Sequence, residues 1–463
     1  MKIMKAIHNF TLQNFHYFVI ILSVIWFFSC QELIEIDSPK TELIRRTVFE
    51  SDLTATAAIS ALYVDLSVSS GTFSSITTLG GFSSDELIPY TNEVEYRQLY
   101  ENDILTTNTL IANLWSEGYS TIYKANAILE GLENSNKLTP AVQSELEGEA
   151  KFLRAFSHFY LLNLFGDVPL IKTTDYRINN AVSRASKLTV YDAILADLVE
   201  AINLLPDGYI DAERIRPNKW AATALLARAY LYAGDWLSAE EASTSVINNI
   251  SLYNLVGLDE VFLKNSNEAI WQLLPVLPDQ NTNDGKTFIL TGPPTFAALR
   301  NDFMDAFEIG DLRKDSWVGL FTDGGSTWYY PYKYKIQTGS DPLNEYSMVL
   351  RLAEQYLIRA EARAQQNNVM GAKADLNTIR QRSGLNDTQA NDQAALLTAL
   401  EQERKVELFT EWGHRWLDLN RTTRTDAILN PIKQGWKPTD ELYPIPQSEI
   451  LINRNLEPQN PGY

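Results

Sequence analysis

Glu403, Glu407 and Glu411 recur at every fourth residue of the segment EQERKVELFTEWG, the arrangement in this chain best suited to carboxylate chemistry. Two carboxylates about 5 to 10 Å apart, on either side of a bond, hydrolyse glycosides. Residues four apart on one helix line up along a rod and do not face each other across a cleft. With Arg404, Lys405, Arg415 and Arg421 nearby in sequence, the spacing predicts an ion-paired structural stripe. The chain has no HExxH, GxSxG, GxGxxG or P-loop pattern. Beyond the first 29 residues its only histidines are His158 and His414, and its single cysteine is Cys30. A Cys/His metal centre is therefore not expected, no cofactor is implied, and the chain does not read as an enzyme. His158, beside Phe156, Phe159 and Tyr160, reads as a packed helix residue.

Aromatic rings offer a different chemistry. Aromatics make up 11% of the chain, with 10 Trp and 22 Tyr, more than a helical core alone requires. Trp220, Trp236, Trp412 and Trp416 fall in helical stripes and are expected in the core, and Trp271 falls in a strand-like run, AIWQLLPV. Trp317 and Trp328 fall where no helical period explains them, and Trp328 leads directly into Tyr329, Tyr330, Tyr332 and Tyr334. Flat rings on a loop suit a sugar, whose C–H face is apolar and whose hydroxyls need a polar rim. The alternative is that WYYPYKYK forms a strand burying alternate residues. Tyr90, Asn92, Tyr96 and Arg97 supply a second set of rings and polar groups. The expected site joins Trp328, Trp317 and Tyr329 as stacking surface to Tyr90, Asn92, Tyr96 and Arg97 as rim.

These residues need a frame, and the periodicity of the chain is helical almost throughout. In KWAATALLARAYLYAGDWLSAEEASTSVI, Ala222, Leu225, Leu226, Ala229, Tyr230 and Ala233 make one stripe. Gly234-Asp235 break it, and Trp236, Ala239, Ala242 and Val246 start another. Two helices joined by a tight turn resemble a tetratricopeptide hairpin. The same grammar returns in LAEQYLIRAEARAQQNNVMGAKADLNTIRQRSG, and further helix pairs are expected at 114–133 with 147–166 and at 190–206 leading into 219. The fold class expected is mainly α, a superhelix of stacked hairpins. Its core covers about 40–270 and 345–463. Between 275 and 345 Pro, Gly, Asn and aromatics replace the helical pattern, which predicts an insertion of short strands and loops. A second irregular zone spans 69–98.

The N-terminus addresses the chain. Residues 1–14 carry Lys2 and Lys5, residues 15–28 (FHYFVIILSVIWFF) are almost wholly apolar, and Ser29-Cys30 follow. Such a run is too short to span a bilayer and reads as a signal peptide over 1–29. Its ending at the one cysteine predicts a bacterial lipoprotein with Cys30 lipidated. The acidic stretch QELIEID resembles an export tag to the outer face of the outer membrane. A formal net charge of −19 argues against nucleic acid and anionic membrane surface as partners.

Several blocks, taken together, resemble the SusD/RagB family: AKFLRAFSHFYLLNLFGDVPLI, the 219–247 hairpin, LRLAEQYLIRAEARAQ, LNTIRQRSGL, ERKVELFTEWGHRWLDLNR and YPIPQSEILINRNLEPQNPGY. They stand in the family's order and cover nearly the whole chain after the leader. Asp85, in SSDEL, resembles a recurrent family position and is counted with the expected ligand-binding residues, its two readings being a ligand contact or a brace for the loop. The resemblance implies a surface-exposed, outer-membrane glycan- or nutrient-binding lipoprotein. Its implied partner is a SusC-like TonB-dependent transporter, to which it delivers oligo- or polysaccharide. Other classes considered are a peptide binder of the same architecture, a surface-anchored carbohydrate hydrolase and a pure tetratricopeptide scaffold.

Overall fold

Local capping signals begin most of the long helices. In the computed structural model, which describes residues 47–68, 75–210, 212–339 and 342–463, Asn108 accepts from the backbone N–H groups of Leu110 and Ile111 to open the helix Thr109–Glu133. Pro140 occupies the first turn of Pro140–Phe165. Side chains of Ser186, Asn218, Asp235, Asn368 and Asp392 likewise cap Lys187–Leu204, Lys219–Ala233, Trp236–Ile247, Val369–Arg382 and Gln393–Glu407. Gly234 takes φ +80°, the left-handed conformation that lets one helix stop and the next start at once. The signal segment 1–29 and Cys30 lie outside the described residues.

From Thr109–Glu133 to Val369–Arg382 these helices pack on their sequence neighbours, and Gln393–Glu407 packs on both Leu352–Gln365 and Val369–Arg382. The stack is thus the expected hairpin superhelix. Trp236–Ile247 packs directly on Leu352–Gln365 although more than a hundred residues separate them, so the irregular insertion leaves the stack unbroken. Bidentate ion pairs tie helices together inside it: Arg154 with Asp197, Arg228 with Glu354, Arg359 with Asp375 and Arg404 with Asp418, all with N···O distances of 2.6–3.0 Å. Paired charges in a low-dielectric interior stabilise little in net terms, but an unpaired one is costly, so they disfavour other registers.

Among the described residues, eight short strands in four antiparallel pairs lie outside the stack. They are β1 (Leu87–Pro89), β2 (Val168–Pro169), β3 (Arg184–Ala185), β4 (Ala269–Leu273), β5 (Ala297–Leu299), β6 (Val318–Asp323), β7 (Ser326–Pro331) and β8 (Ser347–Arg351). β1 pairs with β5, joining the two irregular zones of the sequence, and β6 with β7 forms a hairpin. The turn Gly324–Gly325 has positive φ at both residues, the geometry of a tight two-residue hairpin.

The carboxylate stripe is ion-paired as expected, but its partners come from elsewhere. Arg313 reaches Glu403 at 2.6 Å and Glu407 at 2.9 Å, and Arg351 reaches Glu407 at 2.6 Å and Glu411 at 2.8 Å. Arg382 also binds Glu407, and Lys333 binds Glu411. Of the cations near in sequence, Arg404 and Arg421 bind Asp418, while Lys405 and Arg415 bind Asp85. His158 is buried, with Nδ1 3.0 Å from the Arg154 carbonyl oxygen, and burial pushes it down to about 4. Trp271, Trp412 and Trp416 are core, whereas Trp220 and Trp236 are partly exposed. Both stand at helix starts, where the apolar stripe has not yet met its neighbours.

Candidate functional site

The arm carrying Tyr90 to Arg97 grows from a pinned base. Lys433 is buried, and its Nζ donates to the carbonyl oxygens of Phe82 and Ser83 and to Asn102 Oδ1, closing the end of the helix Ile76–Ser83. Asp85 follows. Arg415 donates to both of its oxygens at 2.7 and 2.9 Å, and Lys405 adds a contact at 2.8 Å. Burial alone would raise this carboxyl, but the two cations hold it well below the usual carboxylate range. Its neighbour Glu86 has no such cation in contact among the described residues and accepts from the Thr410 N–H. Burial, with Asp85 adding to it, pushes Glu86 up to about 8. Asp85 therefore belongs to the foundation of the site, its oxygens already engaged.

From that base, β1 runs antiparallel to β5, with Leu87 opposite Leu299 and Pro89 opposite Ala297. The Tyr90 N–H extends the ladder to the Phe296 carbonyl at 2.7 Å. The Tyr96 ring stands edge-on to Phe296, with centroids 5.0 Å apart and planes at 88°. Tyr96 is partly buried, while Tyr90, Asn92 and Arg97 are exposed.

Phe296 lies in the wall of an open groove of about 550 Å³. Thr287, Thr291, Thr295 and Gln337 bring hydroxyl and amide groups to it, and Lys286 an ammonium. Gln337 is oriented by donating to the Ile289 carbonyl oxygen at 2.6 Å. The arrangement sets one aromatic ring, Phe296, among hydroxyl and amide groups with a single ammonium at hand, a combination a sugar ring can use. None of the groove residues was expected from the sequence. The signal that could have pointed to them is TGPPTF, where consecutive prolines force an open turn ahead of an aromatic.

The hairpin sorts the remaining aromatics. Phe321 lies opposite Trp328 and Leu320 opposite Tyr329, so Trp328 and Tyr329 face opposite sides of the ribbon. Trp328 is partly exposed and its ring lies 6.2 Å from that of Phe321. Tyr330 is buried across Gly319, where an added Cβ would collide with its ring. β7 lies against β5, which brings the hairpin near the groove, although neither Trp328 nor Tyr329 lines it. WYYPYKYK enters a strand over Ser326–Pro331 but does not bury alternate residues: Trp328, Tyr330, Tyr332 and Tyr334 share one parity, and of them only Tyr330 and Tyr334 are buried.

Trp317 must be reassigned. It is fully buried at the end of the short helix Leu312–Trp317, and its Nε1 donates to the Leu258 carbonyl oxygen at 3.0 Å. The Lys333 ammonium lies 4.9 Å from its ring, and the Phe262 ring 5.5 Å away. A ring sealed in this way cannot stack on a ligand.

Two family models match. One, described as starch-binding associating with outer membrane, covers residues 50–231, and the other, described as the SusD family, covers residues 316–463. A SusD-like protein P25 of Formosa agariphila is 24% identical, over 94% of this chain and 97% of its own length. The crystal structure of a SusD superfamily protein from Bacteroides vulgatus superposes with a TM-score of 0.79 at 21% identity, covering 89% of this chain and 99% of that one. A laminarin-binding SusD-like protein superposes at 0.74 with 25% identity, covering 90% of this chain and all of the other.

Proposed function

Because this chain belongs to the SusD family, we propose that it captures a glycan in the groove beside Phe296 and delivers it to a SusC-like TonB-dependent transporter. The observation that carries this reading is the β1–β5 pairing, which brings the Tyr90 backbone and the Tyr96 ring onto Phe296, the aromatic residue in the wall of a groove rich in hydroxyl and amide groups. The two tyrosines stand beside the groove and do not line it. Trp328 and Tyr329, on the adjacent hairpin, extend the binding surface from one side or the other, and Asn92 and Arg97 form its outer rim. The carboxylates of Glu93 and Glu95 lie close enough to Tyr96 to add to the rise in its pKa that burial causes. Together with a net charge of −19, they favour a neutral polysaccharide over a polyanion. A relative that binds laminarin, a neutral glucan, agrees with this choice.

The protein acts without catalysis in this reading. Its densest carboxylate cluster is consumed by arginines, with Glu403 1%, Glu407 0% and Glu411 7% exposed. Lipidated Cys30 holds the chain on the outer face of the outer membrane, and several acyl chains give stable anchorage where one would not. The test is titration of pure protein with a panel of neutral and acidic polysaccharides, with reducing ends assayed in parallel. Heat with a neutral glycan and no new reducing ends supports capture. New reducing ends would make it a hydrolase, and a response only to peptides would make it a peptide binder.

A further inference from the structure

Away from the groove, the tips of the helical hairpins leave a cleft of about 570 Å³. The turn after Lys219–Ala233, the end of Leu352–Gln365, one face of Gln393–Glu407 and the segment after His414–Arg421 line it, and it shares no residue with the groove beside Phe296. Trp236 lines this cleft and is partly exposed, because it opens its helix immediately after the Gly234–Asp235 turn. Beside it, Gln365 and Thr398 bring an amide and a hydroxyl. Glu401 and Arg424 form an ion pair at 3.0 Å with side chains 25% and 46% exposed, so acceptor and donor stand together in the wall. Arg404 is only 3% exposed; Asp418 engages its Nε and Nη2, and its Nη1 has no acceptor among the described residues.

The charges in the cleft decide its ligand class. Arg404 is matched by Asp418, Arg421 by Glu361, Arg415 by Asp85 and Arg424 by Glu401. No guanidinium is left over to hold an anion, and no carboxylate to hold a cation. What remains is a ring face, a side-by-side donor and acceptor that fit vicinal hydroxyls, and a buried N–H that lacks an acceptor. We propose that this cleft is a second carbohydrate site, which takes a neutral hexose unit stacked on Trp236. It would give the protein two points of hold on one polysaccharide chain, strengthening capture without any new contact in the groove. The proposal rests on the glycan-capture reading for its ligand class but uses an independent set of residues.

The test is calorimetric titration with laminarihexaose and with maltohexaose. The proteins are the wild type, a groove variant (Tyr90→Ala with Gln337→Ala), and the groove variant carrying in addition Trp236→Ala or Arg424→Ser. The expected result is residual binding in the groove variant that falls at least about tenfold with either cleft substitution, while the Tm stays within a few degrees. Arg424→Ser, on an exposed side chain, keeps the test valid if Trp236→Ala fails to fold. Complete loss of binding in the groove variant would overturn the cleft and leave the groove reading intact. Residual binding that survives both cleft substitutions would overturn it too. Wild-type affinity in the groove variant, abolished by the cleft substitutions, would uphold the cleft and refute the groove. A wild-type protein that binds neither hexaose contradicts the cleft site, and the wider polysaccharide panel then decides the groove.

Discussion

Asp85 and Arg415 form a buried bidentate ion pair, at 2.7 and 2.9 Å, that joins positions 330 residues apart and ties the base of the Tyr90–Arg97 arm to the C-terminal helical block. Removing one partner of a buried pair strands the other, at a cost of about 3–5 kcal/mol. Asp85→Asn should therefore lower the Tm sharply, while the glycan affinity of the folded fraction stays near wild type. Lost binding at an unchanged Tm would instead make Asp85 a ligand contact.

Trp317 and Trp328 give opposite expectations. Trp317→Ala removes a sealed core ring and should cost about 3–5 kcal/mol of stability. Trp328→Ala removes a partly exposed ring and should leave the Tm within a few degrees. Loss of an anchor ring would weaken glycan binding by about 30-fold. Thermal melts and titrations of the two variants side by side separate the roles. A large drop in Tm for Trp328→Ala would place it with the scaffold.

Acid should act through His158. Burial holds its folded value at about 4, against about 6.5 in an unfolded chain. Between those values the unfolded chain binds a proton that the folded one does not. Its share of the stability is thus fully present above pH 6.5 and declines as the pH falls toward 4, by up to about 3 kcal/mol. Glu86, raised to about 8, works with the opposite sign over roughly pH 4 to 8, so the comparison must be differential. Urea unfolding of wild type and His158→Gln at pH 7 and pH 4.5 should show the wild type losing more on acidification. Equal losses would contradict the assignment.

Cys30→Ser should move the protein from the membrane fraction to the soluble fraction. A variant that stays membrane-bound and accessible to external protease would place the anchor elsewhere.

The stacked hairpins were legible because their signals are local. Gly234-Asp235 marks a turn, and small apolar residues at helical spacing mark close approach, within a window of a few turns. Trp317 was misjudged because the helix Leu312–Trp317 is under two turns long and shows no period to read. The Glu403–Glu411 stripe was recognised as structural, yet Arg313, Arg351 and Arg382 approach it from far along the chain, beyond any spacing rule. The site was half legible. Both irregular zones stood out by composition, but the ladder from Leu87–Leu299 to Tyr90–Phe296 that joins them is non-local, so the groove at Phe296 was invisible.

The central claim is that the groove built on Phe296 captures a neutral glycan. The measurement that tests it most directly is calorimetric titration of laminarin into the wild-type protein and into Tyr90→Ala with Gln337→Ala, with Tm recorded for both. The account predicts binding by the wild type, at least about tenfold weakening in the variant, and Tm values within a few degrees. Equal affinity in the two proteins, with equal stability, would contradict it.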